Sequence, residues 1–262
     1  MSGGREPVTD SAWNVLLNIV ASVITGTAVW LGQRALWRRR LRRRRRFFGV
    51  GADEDCLLVV NRHASSPSDR SVHRTDVVAL LELSGVLREC GARTEVIFHD
   101  QATEGLGLRT EFCVGGPGSN TRTAAHLRWG LPGLTMESSA AQFERATIRV
   151  GSEAYVRQPD LVEHVVLARI VRPGQRRPVF LVCGQTAVAN RAGVGYLVSH
   201  QRELVRAHGL DGRFCLVLRV LEPGVYGPNL VELVGDVTAE AFAGPAPAPA
   251  GSSADTGGMC ED

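Results

Sequence analysis

The amino-acid sequence predicts an α/β fold: a Rossmann-like, mostly parallel sheet with antiparallel hairpin additions, preceded by one N-terminal transmembrane helix. Three observations carry this expectation. An uncharged stretch, residues 11–33, is followed by eight arginines in the nine positions 38–46. A continuous apolar run, residues 56–60, and a second strand-like segment, residues 94–98, flank a stretch of helical periodicity. A third run, residues 111–114, leads into Gly115-Gly116-Pro117-Gly118-Ser119-Asn120 and then a helical pattern through Ala124, Ala125, Leu127 and Trp129.

The uncharged stretch is 23 residues long, and a helix needs about 20 to cross a hydrocarbon core. Trp13 and Trp30 stand near its ends, where interfacial aromatics gather. Arg38, Arg39, Arg40, Arg42, Arg43, Arg44, Arg45 and Arg46 follow and resist translocation, which by the positive-inside rule keeps them cytoplasmic. The expected organisation is an N-terminal tail (1–10), a transmembrane helix (11–37), a polybasic stop-transfer segment (38–46), a cytoplasmic α/β domain (47–240) and a disordered tail (241–262). This is a single pass through the plasma membrane with the C-terminal domain in the cytoplasm.

A cleaved signal peptide carries its positive charges before the apolar run, the reverse of this order. A helix lying on the membrane surface would use the stripe Asn14, Asn18, Ser22 and Thr25, but that face is uncharged. The arginines also fit a nucleic-acid-binding tract, although direct attachment to an apolar span makes anionic lipid headgroups the simpler partner. The polar stripe, with the small-residue pairs Ser22/Gly26 and Ala28/Gly32, predicts a homodimer through the span.

Residues 56–60 suit a strand buried on both faces, and Phe47 and Phe48 before it either rest at the membrane or begin the fold. The strand ends in the polar loop Asn61-Arg62-His63-Ala64-Ser65-Ser66-Pro67. Val77, Val78, Leu80, Leu81, Val86 and Leu87 give a helix over 72–90, closed by Gly91. Residues 94–98 form the second strand, ending at His99 and Asp100, and complete a βαβ unit. A loop over 101–109 leads to the third strand and the glycine turn, with Asn120 or Thr121 as N-cap. Beyond Gly133 the pattern becomes antiparallel: residues 146–150 and 154–156 read as a hairpin, and 165–171 and 178–182 flank Pro173-Gly174-Gln175. A buried strand ending at Gly184 precedes Gln185, Thr186 and Asn190, then a helix ending near Gly209. Residues 214–221 and 230–237 are the last strands. The order strand, glycine, polar turn, asparagine, helix occurs at both 112–120 and 180–190, an echo of internal duplication.

The 262 residues are 44% hydrophobic and 22% charged, enough apolar material for a sizeable core. All 30 basic residues are arginine, and the net charge of +3 hides an asymmetry. Residues 47–262 hold 20 arginines against 25 acids, so the globular part is mildly acidic and offers no basic surface to nucleic acid. The six cysteines are widely spaced and lack a C-x-x-C pair. Cys56, Cys113, Cys183 and Cys215 read as small buried hydrophobes in a reducing compartment, not as disulfide or zinc ligands.

In open α/β sheets ligands bind beyond the C-terminal strand ends. Those ends supply the candidate ligand-binding set: Asn61, Arg62, His63, Gly115, Gly116, Gly118, Ser119, Asn120, Arg122, Gly184 and Thr186. Glycines let backbone N–H groups approach an anion, and a helix N-terminus adds partial positive charge. Arg62 and Arg122 offer bidentate contacts to a phosphate or carboxylate. The dinucleotide fingerprint, the P-loop, the nucleophile elbow and the zincin and EF-hand motifs are all absent. Neither a cofactor nor a metal is expected.

The turn Gly115-Gly116-Pro117-Gly118-Ser119-Asn120 after a strand, with an arginine-rich anchor before it, resembles a group of uncharacterised actinobacterial membrane-anchored proteins with a Rossmann-like domain. The likeness covers most of residues 12–240 in layout, its matching motif is short, and it implies no reaction. The expected function is a membrane-anchored cytoplasmic ligand-binding or sensor domain for a small anionic or nucleotide-like ligand. The alternatives are a membrane-anchored nucleoside or nucleotide hydrolase using Asp100, His63 or Glu111, and a scaffolding module without a ligand.

Overall fold

The computed structural model describes residues 7–63, 71–103, 105, 107–137, 146–172, 174–175 and 177–244. Expectations that fall on Ser65, Pro173, Cys260 and the tail beyond 244 lie outside them. One helix, α1 (Pro7–Phe48), runs without a break from the uncharged stretch through the arginines. By length and composition it can span a membrane. The boundary expected between span and stop-transfer segment is therefore a change of composition within one helix, not a change of structure. Asn14, Asn18 and Ser22 are exposed along it, and nothing lies within 4 Å of where a Cβ on Gly26 would stand.

The βαβ unit follows as β1 (Asp55–Val60), α2 (Arg74–Glu89) and β2 (Arg93–Phe98), with β1 and β2 parallel. On the other side of β1 lies β3 (Thr110–Val114), also parallel, and α3 (Thr121–Gly130) follows it. The hairpin expected at 146–156 is present, as β5 (Thr147–Val150) and β6 (Glu153–Val156). It stands outside the central sheet, in a three-stranded sheet completed by β4 (Leu134–Glu137). In β4 only Leu134 is buried, so the alternation that marks a strand is missing from its sequence.

The chain returns to the central sheet with β7 (Val162–Ile170) and β8 (Val179–Gly184). Next come α4 (Ala187–Ser199) and α5 (Gln201–His208), two helices with His200 between them where the periodicity suggests one. The strand β9 (Phe214–Leu221), a short α6 (Pro223–Tyr226), β10 (Val231–Asp236) and a short α7 (Thr238–Phe242) complete the described fold. The central order is β10-β9-β7-β8-β3-β1-β2. Five of these seven strands point one way; β7 and β10 oppose them.

Alternate residues of each strand feed two cores. Leu58, Val60, Phe112 and Val182 face α2 and α4, while Leu57, Val59, Cys113 and Cys183 face α3, the small sheet and α7. Phe47, Phe48, Phe112, Phe180 and Phe214 are fully buried together, with Phe112 and Phe180 stacked at 4.9 Å. The last turn of α1 is thus part of the core. Arg44 pairs with Glu89, Arg45 Nε donates to Cys90 O at 2.6 Å, and Arg46 pairs with Asp211. Gly49 O accepts from Thr110 and Arg177, at the starts of β3 and β8. Hence α1 joins the body at the edge where the parallel strands begin.

The apparent repeat does not hold as geometry. Asn120 is the N-cap of α3, whereas Asn190 sits inside α4, whose N-cap is Thr186. Moreover α3 and α4 cover opposite faces of the sheet.

Candidate functional site

Strand order reverses between β1 and β3: from β1 the chain first adds β2 on one side, then crosses to place β3 on the other. The parallel register aligns Val60 with Phe98 and with Val114, and Val114 with Val182, so these strands end at one edge. Asn61, Arg62 and His63 leave β1 there, the glycine turn leaves β3, and Gly184 to Thr186 leave β8.

The turn is built from specific contacts. Gly115 has φ +116°, a conformation that side chains disfavour, and a Cβ there would stand 2.8 Å from Asn61 Cβ. Its N–H donates to Val182 O at 2.9 Å. Ser119 N–H closes the turn on Gly116 O at 3.2 Å, with Gly118 inside the loop. Asn61 Nδ2 reaches Ser119 Oγ at 3.3 Å. Asn120 is fully buried; its Oδ1 accepts from Thr123 N at 3.0 Å and its Nδ2 donates to Val114 O at 3.1 Å.

Two arginines of the anion set already have protein partners. The Arg122 guanidinium grips Glu111 with two bonds of 2.8 Å and donates to Ala102 O at 3.0 Å. Arg62 pairs with Asp100 and lies over the Phe98 ring at 5.3 Å. The helix N-terminus is also partly used, since His99 Nδ1 sits 3.4 Å from Thr121 N and Asn120 takes Thr123 N.

Glu111, 2% exposed, anchors the face beneath α3. Burial by itself would raise its pKa, but the bonds from Arg122 and His126 outweigh that and hold the carboxyl well below its ordinary range. His126 Nε2 is 2.7 Å and Cys113 Sγ 3.0 Å from Oε1. Ligand atoms of Glu111, Cys113 and His126 lie within 4.8 Å of one another, the spacing of a metal site. The chemistry opposes one: Arg122 already occupies both carboxylate oxygens, and burial pushes the Cys113 thiol well above its ordinary value, against thiolate formation. The trio reads as a polar network tying α3 to β3. Nor does the fold gather the hydrolase candidates, because Glu111 is enclosed under α3 while Asp100 is bound to Arg62 at the surface.

At the same edge α4 brings a second constellation. Thr186 caps α4 and donates to Glu163, itself buried against Arg157. Gly184 allows close approach: Asn190 Oδ1 accepts from its N–H at 2.7 Å, and a Cβ there would meet Asn190 N at 2.7 Å. Asn190 Nδ2 then donates to Asp76 Oδ1 at 3.0 Å, linking β8 to α2. Asp76, fully buried, has its pKa raised by desolvation; neighbouring Asn190 and Asn61 and the flanking His73 and His63 pull the other way. His73 is the N-cap of α2, and its ring lies 5.2 Å from that of His63. Adjacent to this polar edge, an apolar groove of about 240 Å³ runs between α2 and β2, lined by Val60, Val72, Leu80, Val96 and Phe98 among others.

Sequence reasoning passed over Asp76. A signal existed, because the stripe Leu80, Leu83, Leu87 extended back one turn falls on Asp76, an acid at a core position.

No protein-family model matches the chain, and no curated protein matches it in sequence. Fold and site together define a mixed α/β protein with an N-terminal helix of membrane-spanning length and a polar strand-end edge where its strand order reverses.

Proposed function

We propose that this is a single-pass membrane protein whose Rossmann-like cytoplasmic domain binds a small anionic, nucleotide-like ligand in the crevice between the ends of β1 and β3. The observation that carries the reading is the reversal of strand order at that point, with the Gly115 turn closing β3. Such reversals open a crevice that neighbouring crossovers do not fill. The apolar groove beside it offers room for the less polar part of a ligand, as small-molecule sites combine apolar walls with a few placed polar groups.

The position of α1 supports the same reading. It joins the opposite edge of the sheet, so a strand length of roughly 17–20 Å separates the arginines from the crevice. Arg38, Arg39, Arg40, Arg42 and Arg43 are exposed and carry no ion pair among the described residues, which leaves them for anionic headgroups. The crevice then opens away from the bilayer.

A thermal-shift screen of the full-length protein against nucleotides and phosphorylated metabolites tests this. A ligand at about 100 times its Kd adds about 2.7 kcal/mol of stability. Gly116→Ala is the matched control, since its Cβ would sit at ordinary contact distance, 3.4 Å from Gly184 O and 3.6 Å from Met136 Cε. The variant should fold normally yet weaken binding by crowding the backbone approach. A screen without a shift, or a variant that binds like the wild type, removes the glycine turn from consideration.

A further inference from the structure

We propose that the groove between α2 and β2 binds a single aliphatic chain whose anionic head rests at Arg62, so that its ligand is a medium-chain acyl or alkyl anion. The inference names the ligand class for the apolar groove of the reading above, and it rests on that reading for the place of the head. The groove has a volume of about 240 Å³. Val77, Leu80 and Leu81 wall it from α2, and Val96 and Phe98 from β2; its polar lining residue is Ser84. The Ser84 hydroxyl is already engaged, 2.8 Å from Thr94 Oγ1.

A nucleobase carries ring nitrogens and exocyclic groups that lose their water on entering such a groove, and nothing there replaces it. Methylene groups have no such loss and gain by leaving water. The outer wall is wet, with Val77, Leu81 and Val96 at 40%, 68% and 54% exposed. Strand β2 ends the sheet order, so no further strand covers them. A stable protein interface engages about 20 residues a side. Here α2 also exposes Arg74, Glu82 and Arg88, and exposed Glu95 precedes Val96, so the apolar surface is a slot and not a broad patch. From Val77 to Ser84 the slot follows two turns of α2, about 10 Å at 1.5 Å per residue, a length that an extended chain of medium size fills.

Charge at the mouth suits an anion. Arg62 leaves the end of β1 with its guanidinium 5.3 Å over the ring of Phe98, one wall of the groove. A guanidinium has five N–H donors, and the ion pair with Asp100 engages one nitrogen of Arg62. His73, the N-cap of α2, follows groove-lining Val72, and the ring of His63 lies 5.2 Å from its own. Of the acids at this end, Asp100 is held by Arg62 and Asp76 is fully buried. A carboxylate or phosphate therefore meets donors at Arg62 while its chain runs down the slot.

The experiment is calorimetric titration of the full-length protein in lipid nanodiscs, with empty nanodiscs as the blank for partitioning into lipid. The probes are hexanoate, octanoate, decanoate, octanol and adenosine 5′-monophosphate. The variants are Val96→Trp and Val77→Phe, which fill the slot from its exposed wall, and Arg62→Gln; melting curves verify that each folds. The expected result is saturable binding of octanoate or decanoate, weakened about tenfold when two methylenes are removed. Each filled variant should lose that binding at an unchanged melting temperature. Arg62→Gln should weaken octanoate about tenfold and leave octanol unaffected. Octanoate and decanoate heats no greater than the blank, or a filled variant that melts and binds like the wild type, overturns the chain site. Octanoate binding unchanged in Arg62→Gln overturns the place of the head. Nucleotide binding without chain binding overturns this inference and leaves the crevice reading standing, whereas chain binding without nucleotide binding supports it and removes the nucleotide from that reading.

Discussion

At the scale of the residue, Glu111 shows how a buried partner can stay hidden in sequence and what the pairing predicts. An arginine in the first turn of a helix after a glycine turn has the look of an anion ligand. Its actual partner lies 11 residues earlier, on the inward face of β3, and no local pattern announces that pairing. Breaking a buried pair by removing one partner typically costs about 3–5 kcal/mol. Glu111→Gln is expected to lose that much in chemical denaturation, since it leaves Arg122 half-paired at 13% side-chain exposure. The pH dependence has a definite sign. The folded carboxyl titrates below its unfolded value of about 4.3, so its contribution is complete above that value. As pH falls further, the unfolded chain binds a proton that the native state refuses, and stability drops. Stability curves of wild type and Glu111→Gln should therefore converge below about pH 4.3; parallel curves would show that the pair does not carry this effect. Gly115 gives a second contrast. Forcing alanine to φ +116° against Asn61 should cost about 1–3 kcal/mol, while Gly116→Ala should stay within about 0.5 kcal/mol. Similar melting points for the two variants would refute the conformational argument.

Among the elements, strands buried on both faces were legible as apolar runs, and the shortest elements were not. The strands β1, β3, β8 and β9 read as continuous apolar runs because each feeds both cores. By contrast β4, α6 and α7 contribute a single buried residue apiece, too few to set a period. Strand neighbours were hidden for a different reason: periodicity reports which face is buried, not which strand lies alongside, so the insertion of β7 between β8 and β9 left no local trace. The most consequential element is the end of α1. Arg44, Arg45 and Arg46 read as part of an anchor, yet all three bond to the body, and Phe47 and Phe48 belong to its core. Truncation offers a direct test. A chain beginning at Phe47 keeps the aromatic cluster and should fold as a soluble domain. One beginning at Val50 lacks both rings, each worth about 3–5 kcal/mol by the scale of Phe→Ala changes, and should be largely unfolded or aggregated. Equal solubility and melting of the two truncations would mean that the cluster does not hold α1 to the sheet.

Over the whole molecule, the two ends of the sheet divide the work that the proposed function requires. The edge where the parallel strands begin receives α1, and the edge where they end holds the glycine turn, Asn61 and Arg62. A continuous helix that ends inside the core has no slack with which to reorient the body, so the direction of α1 fixes the direction in which the crevice faces. On the proposed single-pass reading, the positive-inside rule predicts the exposed arginines on the cytoplasmic side and the strand-end edge in the cytosol. Native thiols cannot report on this, because Cys56, Cys90, Cys113, Cys183 and Cys215 are all buried. An exposed reporter is needed, and Val225, 73% exposed on α6, provides the position. In a Val225→Cys chain with Cys260 replaced by serine, a membrane-impermeant maleimide should label only after the cells are opened. Labelling on intact cells would put the body outside, and the arginines would then have to be explained by some partner other than the inner leaflet. Reversing the charge of Arg38, Arg39, Arg40, Arg42 and Arg43 to glutamate should erode the orientation without touching the fold, since none of the five contacts the body through an ion pair among the described residues. A body that stays inside after that change would mean that the aromatic and core contacts of α1, and not its charge, decide which way the protein faces.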